Sequence, residues 1–200
     1  MNIPAPPDPD PDGRNAFVYS YKPSLMGAAF AFRLAPTGLE WSRGRHAGHL
    51  PYAGIRRLRL SFRPVTMQPQ RFIAEIWPMS GPKLQIASVS WRSMVEQERQ
   101  DLAYRAFVLE LHRRIAEAGG QAAFEAGSPA ALYWIGLVVF TVVSLAIAAL
   151  AVRALQFGQA TAAAIVVGFL ALFLWQIGGF FRRNRPGRYG PDAIPSAVLP

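Results

Sequence analysis

Two long, uncharged, apolar segments constrain this chain more than any other feature of its sequence. Residues 130–152 (AALYWIGLVVFTVVSLAIAALAV) carry no charge, and residues 160–181 have Gln176 as their one strongly polar side chain. A helix rises about 1.5 Å per residue, so about 20 apolar residues cross the core of a bilayer. The two segments therefore predict two membrane-spanning helices rather than buried helices of a soluble core.

The connector between the two segments, RALQFGQ, is too short to hold a domain, so residues 129–181 are predicted to form a hairpin. Basic residues near the ends of spans favour the cytoplasmic side. The connector carries Arg153 alone, whereas the second span is followed by Arg182, Arg183, Arg185 and Arg188. This asymmetry predicts a multi-pass membrane protein with both termini in the cytoplasm.

Aromatic side chains lie at the same end of the predicted hairpin. Tyr133 and Trp134 begin the first span, and Trp175 lies near the end of the second. Amphipathic rings settle at the membrane interface, so these three residues and the four arginines after the second span are predicted to be interface anchors.

Neither span contains Asp, Glu, Lys or His, which favours an anchor over a transporter. Ala160, Ala164 and Gly168 repeat every fourth residue, a spacing that allows close helix packing. This face could pack inside the hairpin, against Gly136, Ser144 and Ala148, or between two copies of the chain.

The sequence before the spans divides into a tail and a domain. Residues 1–14 are rich in Pro and Asp, which predicts a disordered tail, and they lack the basic start and apolar core of a signal peptide. From residue 15, apolar residues alternate with polar ones between Pro/Gly turns, as in Leu58, Leu60 and Phe62, which predicts half-buried strands.

The periodicity then changes to that of a helix, from about residue 98 to residue 118. Gly119 and Gly120 form a helix stop. The sequence thus predicts an α+β domain over residues 15–120, closed by one amphipathic helix, and a linker over residues 121–128.

The turn APTGLEW, the stretch HLPYAGIRRLRL, further strands and a single helix resemble bacterial membrane-anchored pleckstrin-homology-like (PH-like) domains. The step Tyr52-x-x-Ile55 matches the one that precedes a long strand in that family. The resemblance implies an antiparallel PH-like β-barrel or roll closed by the C-terminal helix, with a binding or scaffolding role and no catalytic residue. Many relatives place the spans before the domain, whereas here the spans follow it.

One predicted strand is basic, with Arg56, Arg57, Arg59 and Arg63. Alternation puts Arg57, Arg59 and Arg63 on its polar face, with Glu40 and Glu75 as the nearest candidate acids. The arginines form either a solvated sheet face or a surface for anionic lipid headgroups or a partner. Because no aromatic stacking platform interleaves with them, the sequence argues against nucleic acid as a partner.

No catalytic, cofactor-binding or metal site is predicted. His46 and His49 have a metal-like spacing, but no Cys or carboxylate lies close by in the sequence. Glu96, Glu98 and Asp101 precede the helix, where acids commonly complement its dipole. The chain contains no cysteine, which excludes disulfides and thiol nucleophiles.

Residues 182–200 are predicted to be a basic, Pro-rich cytoplasmic tail. It is either extended or docked through Ile194, Val198 and Leu199 on a sheet edge or a partner groove. The chain as a whole predicts a non-enzymatic interaction or scaffold protein of the inner membrane, whose partner is the lipid bilayer, another membrane protein or a second copy. The alternative is an accessory subunit of a transport or envelope-synthesis complex.

Overall fold

The computed structural model describes residues 17–65, 68–92 and 97–200, and in these residues the chain is α+β, with antiparallel sheets followed by two long apolar helices. The strands are β1 (Phe17–Tyr21), β2 (Phe30–Ala35), β3 (Gly38–Arg43), β4 (His46–Leu50), β5 (Ile55–Val65), β6 (Gln68–Pro78), β7 (Leu84–Ala87), β8 (Val89–Trp91), β9 (Gln97–Arg99), β10 (Ala123–Ala126) and β11 (Gly187–Arg188). The helices are α1 (Asp101–Glu117), α2 (Ala130–Gln156) and α3 (Ala160–Arg183), with short 3-10 helices at Tyr52–Gly54 and Ser196–Val198. The predicted tail of residues 1–14 lies outside the described residues.

The first four strands form an antiparallel meander in sequence order. The predicted turn at PTG joins β2 to β3, with Ala35 paired to Gly38. The alternation in β2 places Phe32 and Leu34 in the core and leaves Arg33 exposed. Because alternate side chains of a strand point to opposite faces, this pattern gives the sheet one buried face.

The two longest strands, β5 and β6, are the centre of the second sheet. Leu58, Leu60 and Phe62 of β5 are buried, as the alternation predicts. The register shifts between Ile55 and Arg57, which places Arg56 at an irregularity in the ladder and explains why Ile55 is buried as well.

The order of the second sheet is β11-β10-β5-β6-β7. Strand β10 runs parallel to β5, and it lies within residues 121–128, which the sequence predicted to be a linker. Strand β11 pairs antiparallel with β10 and comes from the predicted tail of residues 182–200. The sheet that holds the basic strand is therefore completed by segments on both sides of the helical hairpin.

The strands do not form a closed barrel in the described part of the chain, and the expectation of a barrel is wrong in this respect. The described strands make three separate sheets, the smallest being β8 and β9. No backbone ladder joins β1 to β7 among these strands. Instead, the hydroxyl of Tyr19 donates to the carbonyl oxygen of Ala87 at 2.6 Å, and that of Tyr21 donates to Gln85 at 2.6 Å. One backbone hydrogen bond, from the N–H of Trp91 to the carbonyl oxygen of Lys22 at 3.1 Å, lies beside them. Tyrosine side chains thus provide contacts where a barrel would have a continuous backbone ladder.

One face of α1 packs into a single core shared by both large sheets. Tyr104, Phe107 and Leu111 are buried there, whereas Leu102 in the first turn is exposed. The helix begins at Asp101 rather than near residue 98, because Gln97–Arg99 form β9.

The C-terminal tail belongs to the same core. Val198 is fully buried and Leu199 nearly so, and Tyr189 and Ile194 pack against the cluster. Of the two alternatives for the tail, docking is the one observed, and the surface it docks on is the chain's own domain.

Helices α2 and α3 form a hairpin joined by residues 157–159, and both are long enough and apolar enough to cross a membrane, by length and composition. Ala151 and Ala163 are buried between them near the turn. Ala164 is exposed, and a Cβ at Gly168 would meet nothing within 4 Å. The face marked by these last two residues therefore points away from α2.

Candidate functional site: a cationic groove at the base of the hairpin

Asn184, the residue directly after α3, connects the domain end of the hairpin to the basic strand β5 through hydrogen bonds. Asn184 is fully buried, and its Oδ1 accepts a hydrogen bond from the backbone N–H of Phe62 at 3.0 Å. Its carbonyl oxygen accepts from the N–H of Ser128 at 3.0 Å. The ladder between β10 and β5 ends at the pair of Ala126 and Leu60. The Asn184 side chain therefore supplies an acceptor for the N–H of Phe62, which lies just beyond the end of the ladder.

A glycine makes this close approach possible. Gly127 has φ of +80°, and its N–H donates to the carbonyl oxygen of Leu60 at 2.8 Å. A Cβ at this position would clash with the carbonyl oxygens of Asn184 and Arg185. The two ends of the hairpin therefore meet at β5 through backbone atoms that a side chain would separate.

Between this joint and the outer face of the second sheet lies a groove of about 630 Å³, called here the hairpin groove. One wall is polar and comes from β5, β6 and Lys83, the residue before β7. The other wall is apolar and comes from the first turns of α2 and the last turns of α3. The polar wall carries Arg59, Ser61, Arg63, Glu75, Trp77 and Lys83, and the apolar wall carries Leu132, Tyr133, Gly136, Phe180 and Phe181.

Three cations surround one indole ring on the polar wall. The guanidinium carbon of Arg57 lies 4.3 Å from the centroid of Trp77, that of Arg59 lies 5.1 Å away, and Nζ of Lys83 lies 5.2 Å away. The negative face of the ring offsets part of their mutual repulsion. Trp77 is thus an aromatic residue among the basic side chains, and its ring is already in contact with three cations. The expectation against nucleic acid stays a prediction.

Two carboxylates are shared among these cations. Glu125 of β10 accepts from Nη2 of Arg59 at 2.5 Å and lies 3.8 Å from Arg57. Glu75 accepts from Nζ of Lys83 at 2.7 Å and lies 3.8 Å from Arg63.

The acids expected from the sequence are only partly the right ones. Glu75 is a partner of the basic strand, but Glu40 lies 3.9 Å from Arg33 on the first sheet. Glu125 was missed because residues 121–128 read as a linker. The four predicted arginines also differ from one another: Arg59 is mostly buried, Arg57 is partly buried and Arg63 is about half exposed. Arg56 is exposed and does not line the groove.

Ser61 lies between Arg59 and Arg63 on the polar wall. The residue is 5% exposed, and its Oγ is buried with no hydrogen-bond partner in the described part of the structure. The sequence offered no signal for this residue beyond its position in the alternation of β5.

The predicted interface anchors divide into two groups. Tyr133 packs edge-on against Phe181 at the base of the hairpin, while Trp134 and Trp175 are 60% and 79% exposed. Of the arginines, Arg182 and Arg185 are exposed, Arg183 lies 4.8 Å over the ring of Phe62, and Arg188 is an exposed residue of β11 opposite Glu125.

The remaining polar clusters have structural partners. His46 and His49 lie on β4 rather than in a turn, and Nε2 of His49 is 3.2 Å from the hydroxyl of Thr37. Glu98 pairs with Arg92, Asp101 pairs with Arg99, and Glu96 lies outside the described residues. Over residues 17–65, 68–92 and 97–200, no group of three potential metal ligands comes together.

A buried histidine joins α1 to the tail. Nδ1 of His112 is 2.6 Å from the carbonyl oxygen of Val108, and Nε2 is 2.9 Å from the hydroxyl of Tyr189. The ring also stacks on Phe124 of β10. Burial lowers the pKa of His112 to about 4, although the bond to Val108 raises it in part. Nothing in the sequence predicted this contact, because 77 residues separate His112 from Tyr189.

Comparisons of the chain with family models, with curated proteins and with solved structures find no match.

Proposed function

We propose that this chain is a non-enzymatic protein of the bacterial inner membrane that holds a PH-like interaction domain at the cytoplasmic membrane surface. The observation that carries the proposal is the joint between domain and hairpin. Asn184 and Gly127 attach both ends of the hairpin to β5, and the tail beyond α3 completes the domain core. A domain fixed in this way has one orientation relative to a bilayer that the hairpin crosses.

The exposed apolar surface of the hairpin supports a membrane location. In the most apolar stretch of 18 residues, 6% of the residues of α2 and 0% of those of α3 are buried, so the domain does not cover these helices. Large exposed apolar surfaces are unfavourable in water and are typical of contact with lipid or protein. Arg182 and Arg185, exposed at the domain end, support a cytoplasmic orientation of that end.

The arrangement of strands and helix supports a PH-like interaction role. A four-stranded antiparallel meander and a second sheet share one core with a helix that follows the strands. The acids of the second sheet and of α1 are held in ion pairs with arginine or lysine, as in Glu75, Glu110 and Glu125. Such pairing is typical of structural carboxylates.

The outer face of the first sheet is the surface that this proposal makes available to a partner. Val18 on β1 is 48% exposed and lies with Arg33, Glu40 and His49 along a shallow groove. A photoreactive amino acid at position 18 should give a discrete protein adduct in native membranes. The matched control is the same amino acid at Phe157, which is exposed at the opposite end of the hairpin. Equal adducts at both positions, or none at Val18, would contradict an interaction surface on this sheet.

One observation favours the alternative, an accessory subunit of a membrane transport or envelope-synthesis complex. The small-residue face of α3 at Ala164 and Gly168 points away from α2, where another membrane helix could approach closely. A photoreactive amino acid at Ala164 would then capture a protein with several spans that also co-purifies stoichiometrically in mild detergent. Capture of a second copy of this chain would instead indicate a homo-oligomer.

A further inference from the structure

We infer that the hairpin groove binds the phosphate headgroup of an anionic phospholipid, with the acyl chains lying against the apolar wall. The inference deepens the proposed function and rests on its membrane location for the hairpin. It differs from a general attraction between basic residues and a membrane, because it assigns one lipid to one groove.

The charge of the groove suits a phosphate. Its polar wall carries Arg59, Arg63 and Lys83 together with the carboxylate of Glu75. Glu125 pairs with Arg59 and Arg57 beside this wall, so the cluster as a whole has four cations and two carboxylates. The side chains of Arg63 and Lys83 are 52% and 44% exposed, so both can reach a ligand without leaving the fold. An ammonium group has three donors, and Glu75 accepts from one of those of Lys83. The groove therefore has both net positive charge and unused donors.

Ser61 adds a feature that ion pairing on the sheet does not explain. Its hydroxyl is buried between Arg59 and Arg63 and has no partner within the described residues. A buried hydroxyl without a partner is costly, so such groups commonly mark a position where another molecule completes the hydrogen bonding. A phosphate oxygen held by the neighbouring arginines would accept this hydrogen bond.

The apolar wall decides between a lipid and a soluble phosphate. Leu132, Tyr133 and Phe180 form this wall and continue directly into the exposed apolar surface of α2 and α3. A phosphate in solution would gain little from such a surface. A phospholipid is complementary to both walls, since its anionic headgroup suits the cationic wall and its acyl chains suit the apolar wall.

The test uses the full chain purified in mild detergent and native mass spectrometry with added phosphatidylglycerol or phosphatidylcholine. One phosphatidylglycerol should be retained in preference to phosphatidylcholine. The double variant Arg63→Gln/Lys83→Gln should weaken phosphatidylglycerol binding about tenfold or more, because two charge-assisted contacts are lost. Arg56→Gln is the matched control: it removes one charge from the same strand outside the groove and should leave binding within about twofold.

A second variant keeps the test decisive if the double variant unfolds. Glu75→Gln removes the carboxylate that competes for Lys83 and Arg63, so it should strengthen phosphatidylglycerol binding. A purely structural salt bridge predicts lower thermal stability for Glu75→Gln and no gain in binding, and that result would overturn the inference. Displacement of the lipid by millimolar inorganic phosphate would also overturn it, in favour of a soluble anion.

The inference and the proposed function can fail separately. If the hairpin crosses the membrane but phosphatidylglycerol and phosphatidylcholine bind equally, only the groove assignment is lost. If the helices prove accessible to water along their length, both fail.

Discussion

The stability of the fold should depend on pH through His112. The carbonyl oxygen of Val108 can only accept, so Nδ1 carries the proton and Nε2 accepts from the hydroxyl of Tyr189. A second proton would place a charge among Phe124, Tyr189 and α1, in a site where the residue is 1% exposed. No carboxylate is found against the ring among the described contacts, so burial dominates and lowers the pKa to about 4.

The sign and size of the effect follow from linkage. The unfolded chain titrates at this residue near a pKa of about 6.5 and the folded chain near about 4. Between these values the unfolded state binds the extra proton, so stability is full above about pH 6.5 and is lost as the pH falls towards 4. Going from pH 7 to pH 5 should lower the free energy of unfolding by about 2 kcal/mol, and the limit below pH 4 is about 3 kcal/mol.

Denaturant unfolding of the full chain in mild detergent at the two pH values measures this loss. The control is His112→Gln, which keeps a polar side chain but cannot titrate. The exposed His46 and His49 remain in both proteins and cancel in the comparison. Glu110, whose hydrogen bonds to Arg113 and Arg114 help lower its pKa to about 2, titrates outside this window. An equal loss in both proteins would refute the assignment to His112.

The other predictions concern the joint, the core and the topology. Gly127→Ala should lower the free energy of unfolding by at least about 2 kcal/mol, because it adds a backbone clash to a positive φ. The control Gly158→Ala, with φ of +72° and open space, should cost only about 1 kcal/mol, and equal melting temperatures would contradict the close backbone approach at Gly127. Phe107→Ala should cost about 3–5 kcal/mol and Leu102→Ala, at an exposed position, less than about 0.5 kcal/mol, measured by denaturant unfolding. Because the chain has no cysteine, the variants Arg56→Cys and Phe157→Cys each carry a single thiol. A thiol reagent that cannot cross the membrane should label them from opposite sides, and labelling of both from the same side would contradict a hairpin that crosses the membrane.

The strands and the hairpin were predictable because each depends on a local pattern. Leu58, Leu60 and Phe62 alternate as a half-buried strand must, and the two apolar segments exceed the length of an ordinary core helix. These signals need no knowledge of which segments meet. Where a local irregularity intervenes, as at Arg56, the alternation fails only over that residue.

The groove was not predictable, because it depends on pairings between segments far apart in sequence. Glu125 meets Arg59 across 66 residues, and Asn184 meets Phe62 across 122 residues. Four-residue β10 and two-residue β11 are too short to show a period. One local signal was present for Asn184: an asparagine directly after an apolar helix and two residues before Pro186 is typical of a helix end.

The return of the tail explains why this domain and its hairpin form one structure. Residues 15–120 hold most of the core, but Phe124, Ala126, Val198 and Leu199 complete it from either side of the hairpin. Without these four side chains the core would lose apolar contacts, and without strand β10 the edge of β5 along Arg57–Leu60 would be unpaired. The chain must therefore leave the domain, pass through both long helices and come back before the core is closed. Since both ends of the hairpin are bound to β5, α2 and α3 run in opposite directions away from the sheet. If these helices cross a membrane, as proposed, the groove between them and the sheet lies at the bilayer surface.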